Sequence, residues 1–263
     1  MTTRRARPRP ARAAGRGQPR SARRRRDAAA RPRRRRWRRG LLVVVTVLLA
    51  SGPLAILPLR FADPPFTAFM LAARIEAWRA GDAGFELDYR PRPFADISPW
   101  LALAVIAGED QKFPDHHGFD FDAVADALAA HRDGAHLRGA STLSQQVVKN
   151  LYLWSGRSLL RKGLEAWWTV WLEALLSKRR ILELHLNIAE YGPGVYGVGA
   201  AATRYLGRDA ARLDARQAAL MASVLPNPQR HRIAAPDAWT RKRQAWIERQ
   251  MDNLGLAWLA RLD

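Results

Sequence analysis

The longest unbroken apolar pattern in the chain is LLVVVTVLLASGPLAILPL, residues 41–59, where no position carries a charge. At about 1.5 Å of rise per residue, a helix of that length nearly crosses a hydrocarbon core of about 30 Å. Trp37 and Phe61 flank it as interfacial aromatics. A buried core helix is the alternative, but a core helix this long seldom lacks a polar face. A cleaved signal peptide is the other, but this run exceeds the usual 7–15 residues of its apolar region. The pattern predicts a transmembrane anchor over 41–60, with Pro53 and Pro58 expected to kink or shift its second half.

Past the anchor the apolar positions recur at helical spacing. In TAFMLAARIEAWRAG, Phe69, Met70, Ala73, Ile75 and Trp78 oppose Arg74, Glu76 and Arg79, which suits a packing helix or one resting at a membrane surface. SPWLALAVIAGED predicts a helix over 98–110, with Ser98 as N-cap and Pro99 at its first position. Further helices are predicted at about 121–130, 142–153, 158–176, 178–190, 197–206, 214–224 and 236–258. No sustained alternation argues for a sheet, and YGPGVYG and LPNPQ read as turns. The expectation is one mainly α domain over 96–263, joined to the anchor by a linker and amphipathic helix over 61–95.

Charge changes this picture only after its distribution is read. A net charge of +20 suggests a nucleic-acid partner, yet residues 1–40 hold 18 Arg against one Asp, and the rest of the chain carries only about +3. Arg, Pro and Ala offer little to bury, so 1–40 reads as a disordered tail. Arginines on that side of the anchor place it in the cytoplasm, and everything from about residue 61 across the membrane. In a bacterium that is the periplasmic side of the inner membrane. Attraction to anionic lipid accounts for the tail without nucleic acid. The absence of Cys excludes thiolate metal sites and Cys nucleophiles.

Several polar residues interrupt the helical pattern where chemistry is feasible. Glu109 falls in the last turn of the 98–110 helix, where the negative dipole end disfavours an anion and should raise its pKa toward that of a working base. A solvated helix-end acid is the plainer reading. His116 and His117 point apart and have no partner at ligand spacing, so they read as loop residues and not metal ligands. In RGASTLSQQVVKNLYL, Thr142 and Gln145 form a capping box, and Gln145, Lys149 and Tyr152 share a face. Its N-terminus, with Ser141, Lys149 and Arg157, suits a phosphate, unless this is simply a well-capped surface helix. Arg161 and Glu165 stand at i,i+4 with Lys162 beside them, either an ion pair or a second carboxylate with flanking cations. Two such carboxylates suit chemistry at the anomeric carbon of a sugar.

In order, these blocks resemble the family 51 peptidoglycan glycosyltransferases. Glu109, Asp110, Phe113, His116 and Gly118 match E-D-x-x-F-x-x-H-x-G. Gly139, Ser141, Thr142, Gln145, Gln146, Lys149 and Asn150 match G-x-S-T-x-x-Q-Q-x-x-K-N. Arg161, Lys162 and Glu165 match R-K-x-x-E, and Lys178, Ile181, Leu182, Glu183, Leu186 and Asn187 match K-x-x-I-L-E-x-Y-L-N, with His185 standing where Tyr is usual. Leu206 and Arg208 replace the more common Phe and Lys. The matches span about 96–230, and the residues after them are too few for a transpeptidase domain.

The resemblance implies a lysozyme-like, two-lobed helical fold acting on lipid II, a disaccharide-pentapeptide on undecaprenyl diphosphate. Glu109 would be the general base and Asp110 its supporting neighbour. Lys149 and Arg157 would hold the diphosphate, with Ser141 and Gln145 lining the site. Glu165, with Arg161 and Lys162, would orient cations, assist departure, or hold a divalent ion (Mg or Mn). No organic cofactor is implied. Phe113, His116, Gly118, Asn150 and Asn187 would be structural. The implied partners are lipid II, the growing glycan strand, the inner membrane, and proteins of cell division or wall synthesis. Two rival readings are a lytic muramidase, which needs no diphosphate-binding cations, and a membrane-tethered scaffold with a nucleic-acid-binding tail.

Overall fold

A computed structural model of the chain describes residues 20–132, 141–156 and 158–262. It falls into two compact units, Met1–Ala50 and Ser51–Asp263. The long helix α1 (Arg20–Ile56) tightens into a 3-10 turn, Leu57–Arg60. Within this stretch Trp37–Arg60 is long and apolar enough to cross a membrane, with mean hydropathy 2.4 and little of it buried. Pro53 does not break α1; the change of helix type comes at Leu57, with Pro58 following. Composition predicts disorder through residue 40, but the helix already runs from Arg20. Arg and Ala are strong helix formers, and the apolar segment extends the same helix. Residues 1–19 lie outside the described part.

The second unit is mainly α. Its central element is α3 (Pro99–Glu109), in which every residue from Leu101 to Ala107 is buried. A helix apolar all round has to be wrapped on all sides. Helices α9 (Ala215–Val224) and α10 (Ala238–Leu254) pack on it. A second group joins α5 (Leu143–Tyr152) to α6 (Leu159–Leu175) and α7 (Lys178–Ile188). The remaining helices are α2 (Ala68–Arg79), α4 (Phe121–Arg132) and α8 (Val198–Leu206). All eight helices predicted beyond residue 96 are present.

The differences are local. Three strands of two or three residues, β1 (Asp88–Tyr89), β2 (Glu190–Gly192) and β3 (Val195–Tyr196), form a sheet in the order β1-β3-β2. They are too short to show alternation. Ser98 is the N-cap of α3, but its hydroxyl donates to the Leu213 carbonyl (2.6 Å) and caps no N–H. In α2 only Met70 is buried, while Leu71 and Trp78 of the same helix are exposed, so it does not present a packed apolar face.

Two residues predicted as structural lock distant segments. Buried Asn187 donates to the Arg92 carbonyl (2.8 Å) and accepts from the Arg92 N–H (2.9 Å), pairing with that backbone as a strand would. Gly118 has φ +85°, and a Cβ there would lie 2.6 Å from Thr169 Cγ2. Gly118→Ala should therefore cost roughly 2–4 kcal/mol of stability through backbone strain and overpacking. Urea denaturation of the two proteins measures this, and an unchanged midpoint would show that the loop yields.

Candidate active site

The end of α3 and the start of α5 meet through one buried carboxylate. Asp110 faces His116 Nε2 (3.0 Å) and accepts the Leu143 N–H at the head of α5 (2.9 Å). His116 Nδ1 accepts the Gly118 N–H (3.2 Å), so its proton resides on Nε2 and points at Asp110. Thr142 Oγ1 donates to the Gly118 carbonyl (2.7 Å) and accepts the Gln145 N–H, while Gln145 Oε1 accepts the Thr142 N–H, completing the predicted capping box. Phe113 is fully buried, edge-on to His116, with the Lys178 ammonium 4.6 Å from its ring centroid.

This clamp leaves the neighbouring residues, Glu109 and Gln146, facing a cavity of about 830 Å³. Gly108, Glu109, Ser141, Gln146 and Lys149 line one side. From α10 come Trp239, Lys242, Arg243, Trp246 and Arg249. Glu109 Oε1 accepts from Arg243 Nη2 (2.8 Å) and Oε2 from Gln146 Nε2 (3.1 Å). Its side chain is 11% exposed. Burial raises its pKa, and Arg243, Gln146 and Lys149 act in the opposite direction without cancelling it. The raised basicity expected from the helix end is therefore present, but its main cause is burial.

Lys149 is pushed the other way. Burial lowers its pKa most, Arg161 and Lys162 add to that, and the carboxylates of Glu165 and Glu109 oppose it. Glu165 is buried on α6, its oxygens taken by Arg161 Nη1 (2.6 Å) and Lys162 Nζ. Lys162 Nζ also reaches Ser141 Oγ (3.4 Å). Ser141 and Lys149 thus belong to the cavity wall, and Arg161 and Lys162 to a cationic cluster organised by Glu165 behind it.

Some expected site residues sit elsewhere. Asp110 does not line the cavity, because both its oxygens are used between His116 and α5. Gln145 is consumed by the capping box, and the glutamine that lines the cavity is Gln146. Glu165 does not stand free as a second carboxylate; it is the counterion of two cations. It fits no divalent ion on its own, and among the described residues no three His, Cys, Asp or Glu side chains gather to hold one. Asn150 is half-buried on α5. Arg138, Gly139 and Arg157 lie outside the described residues.

Sequence reasoning missed Gln146, Arg243 and the two cavity tryptophans. Gln146 carried a signal, since it lies three residues before Lys149 on the same helix. Arg243 carried none: it comes from a basic run on α10, 134 residues from Glu109.

The model of the transglycosylase family matches residues 83–252. A biosynthetic peptidoglycan transglycosylase of Xylella fastidiosa (strain 9a5c) is 52% identical over 217 residues, 82% of this chain and 89% of its own length. One from Xanthomonas campestris pv. campestris (strain B100) is 46% identical over 82% of this chain and 88% of its own. One from Salmonella agona (strain SL483) is 55% identical over 73% of this chain and 79% of its own.

The shifted carboxylate makes stability depend on pH. With its pKa raised above the ordinary 4.5, Glu109 holds its proton in the folded protein where the unfolded chain has released it. The stability this contributes is full below that value and is lost as pH rises through the folded pKa. Glu109→Gln does not titrate, so its stability relative to the native chain should climb with pH across that window. Urea denaturation of both at a series of pH values tests this, and parallel profiles would refute it.

Proposed function

The chain belongs to the transglycosylase family, as a peptidoglycan glycosyltransferase of cell-wall synthesis, and on that footing we propose that it polymerises lipid II with Glu109 as general base. What carries the proposal is that Glu109 and Lys149 line one side of the same cavity, a carboxylate made more basic by burial beside a half-buried cation.

In the proposed reaction Glu109 takes the proton from the 4-hydroxyl of the acceptor's GlcNAc. That oxygen attacks C1 of the donor's MurNAc as the bond from C1 to the diphosphate oxygen breaks. Attack from the face opposite the diphosphate inverts α to β. A carboxylate has about four lone-pair sites, so Glu109 can accept this proton while keeping Arg243 and Gln146. Both contacts favour its charged form and so oppose the neutralising effect of burial.

The leaving diphosphate gathers negative charge as the bond breaks, and a fixed cation there acts most strongly in the transition state. Lys149 is proposed for that role, with Ser141 beside it and Arg157 assigned by the resemblance. Arg161 and Lys162 supply the positive field behind them, and Glu165 keeps those two like charges together. No step is routed through a metal ion.

The anchor has a use in this chemistry, since both substrates carry lipid tails. We place it as a single span of the bacterial cytoplasmic membrane, with the N-terminus inside and the catalytic domain on the periplasmic side. The charge asymmetry about the apolar span supports this. Phe61, Phe66, Leu71 and Trp78 are exposed just after the span, where a membrane interface suits them.

Incubation with labelled lipid II tests the reading. Glu109→Gln should retain its fold and lose roughly 10²–10⁴ of the polymerisation rate. Fragments released from finished glycan, with no polymer from lipid II, would instead make this a lytic enzyme. Lys149→Met should lower turnover by roughly 10²–10³ while changing KM much less, as expected for a contact strongest in the transition state. A raised KM with unchanged turnover would instead move Lys149 to ground-state binding.

A further inference from the structure

Behind Glu109 stands a side chain to which the proposed reaction gives no part. His185, on α7, is buried, and its Nε2 lies 3.1 Å from Gln146 Oε1. The other end of the same amide, Gln146 Nε2, donates to Glu109 Oε2 (3.1 Å). The three groups form a line from the core to the base.

The proton positions along this line depend on one another. If the Gln146 amide were reversed, its oxygen would face a carboxylate oxygen at hydrogen-bond distance, a repulsive contact. Its nitrogen must therefore face Glu109, and its oxygen must accept from His185. That requires the proton on His185 Nε2. Among the described residues His185 Nδ1 has no partner, which a bare lone pair tolerates better than a stranded N–H would. Burial, helped by the Lys149 charge, pushes the His185 pKa down to about 3, so the ring stays neutral as the base titrates.

We infer that His185 is a positioning residue for the glycosyl transfer: its Nε2–H fixes the Gln146 amide in the one orientation that donates to Glu109. This rests on the reading of Glu109 as the base. A tyrosine, the residue usual at this position in the resemblance, also presents an O–H donor, so His185 keeps the donor while changing the group that bears it. The function needs a donor, not an imidazole.

The pH dependence of the base involves few other groups. Of the elements packed near Glu109, α10 brings Arg243, and α5 brings Gln146 and Lys149. Helix α9 packs on α3 with Ala218, Ala219, Met221, Ala222, Ser223 and Val224 buried, none of them ionisable. The charge acting on His185 is that of Lys149, from α5. Because the Gln146 contact lowers the Glu109 pKa, freeing the amide should raise it.

The test compares the full chain with His185→Phe and His185→Tyr in the lipid II assay, each with its thermal midpoint measured. His185→Phe should lose about tenfold in kcat with KM within about twofold, and its acidic limb should move to higher pH. His185→Tyr should restore both. A Phe variant with native kcat and limb would overturn the inference, as would a folded Tyr variant that restores neither. Should His185→Phe fail to fold, 15N NMR of the His185 ring in the native chain decides. The inference expects a neutral Nε2–H tautomer unchanged down to about pH 5. An Nδ1–H tautomer, or protonation in the ordinary histidine range, would overturn it. If the native chain makes no polymer, the proposed function fails, while the NMR result still judges the His185–Gln146 contact separately.

Discussion

A carboxylate buried at the end of a helix has to find donors, and Asp110 finds them in two places that the chain would otherwise leave apart. One is the Nε2–H of His116 in the following loop. The other is the Leu143 N–H that the start of α5 leaves unpaired. Withdrawing either donor would leave a buried charge short of a partner, at a cost of about 1–3 kcal/mol or more. The ends of α3 and α5 are therefore held in one register. Gly118 and Thr142 close the same joint from the other side. Only in that register do the residues next to the joint, Glu109 and Gln146, come within hydrogen-bond distance.

The electrostatics of the site arise from burial acting on opposite charges. By the same loss of solvent Glu109 becomes a stronger base and Lys149 a cation that holds its proton less tightly. Left alone, the carboxylate would drift toward neutrality. Arg243 and the Gln146 amide oppose that drift. Glu165 does the corresponding service for the cations, since Arg161 and Lys162 would repel one another beside Lys149 without it. The two carboxylates thus meet different partners, Glu109 at the cavity and Glu165 behind it.

The helices were legible because caps and breakers mark their ends: Thr142 with Gln145 and Pro99 all do in the structure what their positions predict. The sheet was not legible, since two-residue strands leave no period to read. Ser98 shows the limit of cap reasoning, for its hydroxyl had a better acceptor in Leu213, 115 residues away. At the site, Glu109 and Lys149 were readable as residue types at a helix end and on a helix face. The capping box, taken at its word, would already have removed Gln145 from the cavity and left Gln146. Arg243 could not be read at all, because only the packing of α10 on α3 brings it to Glu109. In the sequence His185 is only a departure from the usual Tyr, and its contact with Gln146 is what connects it to Glu109.

The segment just before the domain is fastened to it as well. Tyr152, at the end of α5, donates to the Ala55 carbonyl (2.7 Å), and Gly52 lies against Trp171 so closely that no Cβ would fit. Arg180 of α7 holds the Leu59 carbonyl and Asp63 (both 2.8 Å). Residues 52–63 are thus tied to the same α5, α6 and α7 that carry Lys149, Glu165 and His185. Those contacts hold residues 52–63 to the helices that build the cavity wall, so the segment and the cavity are positioned by one set of packing contacts.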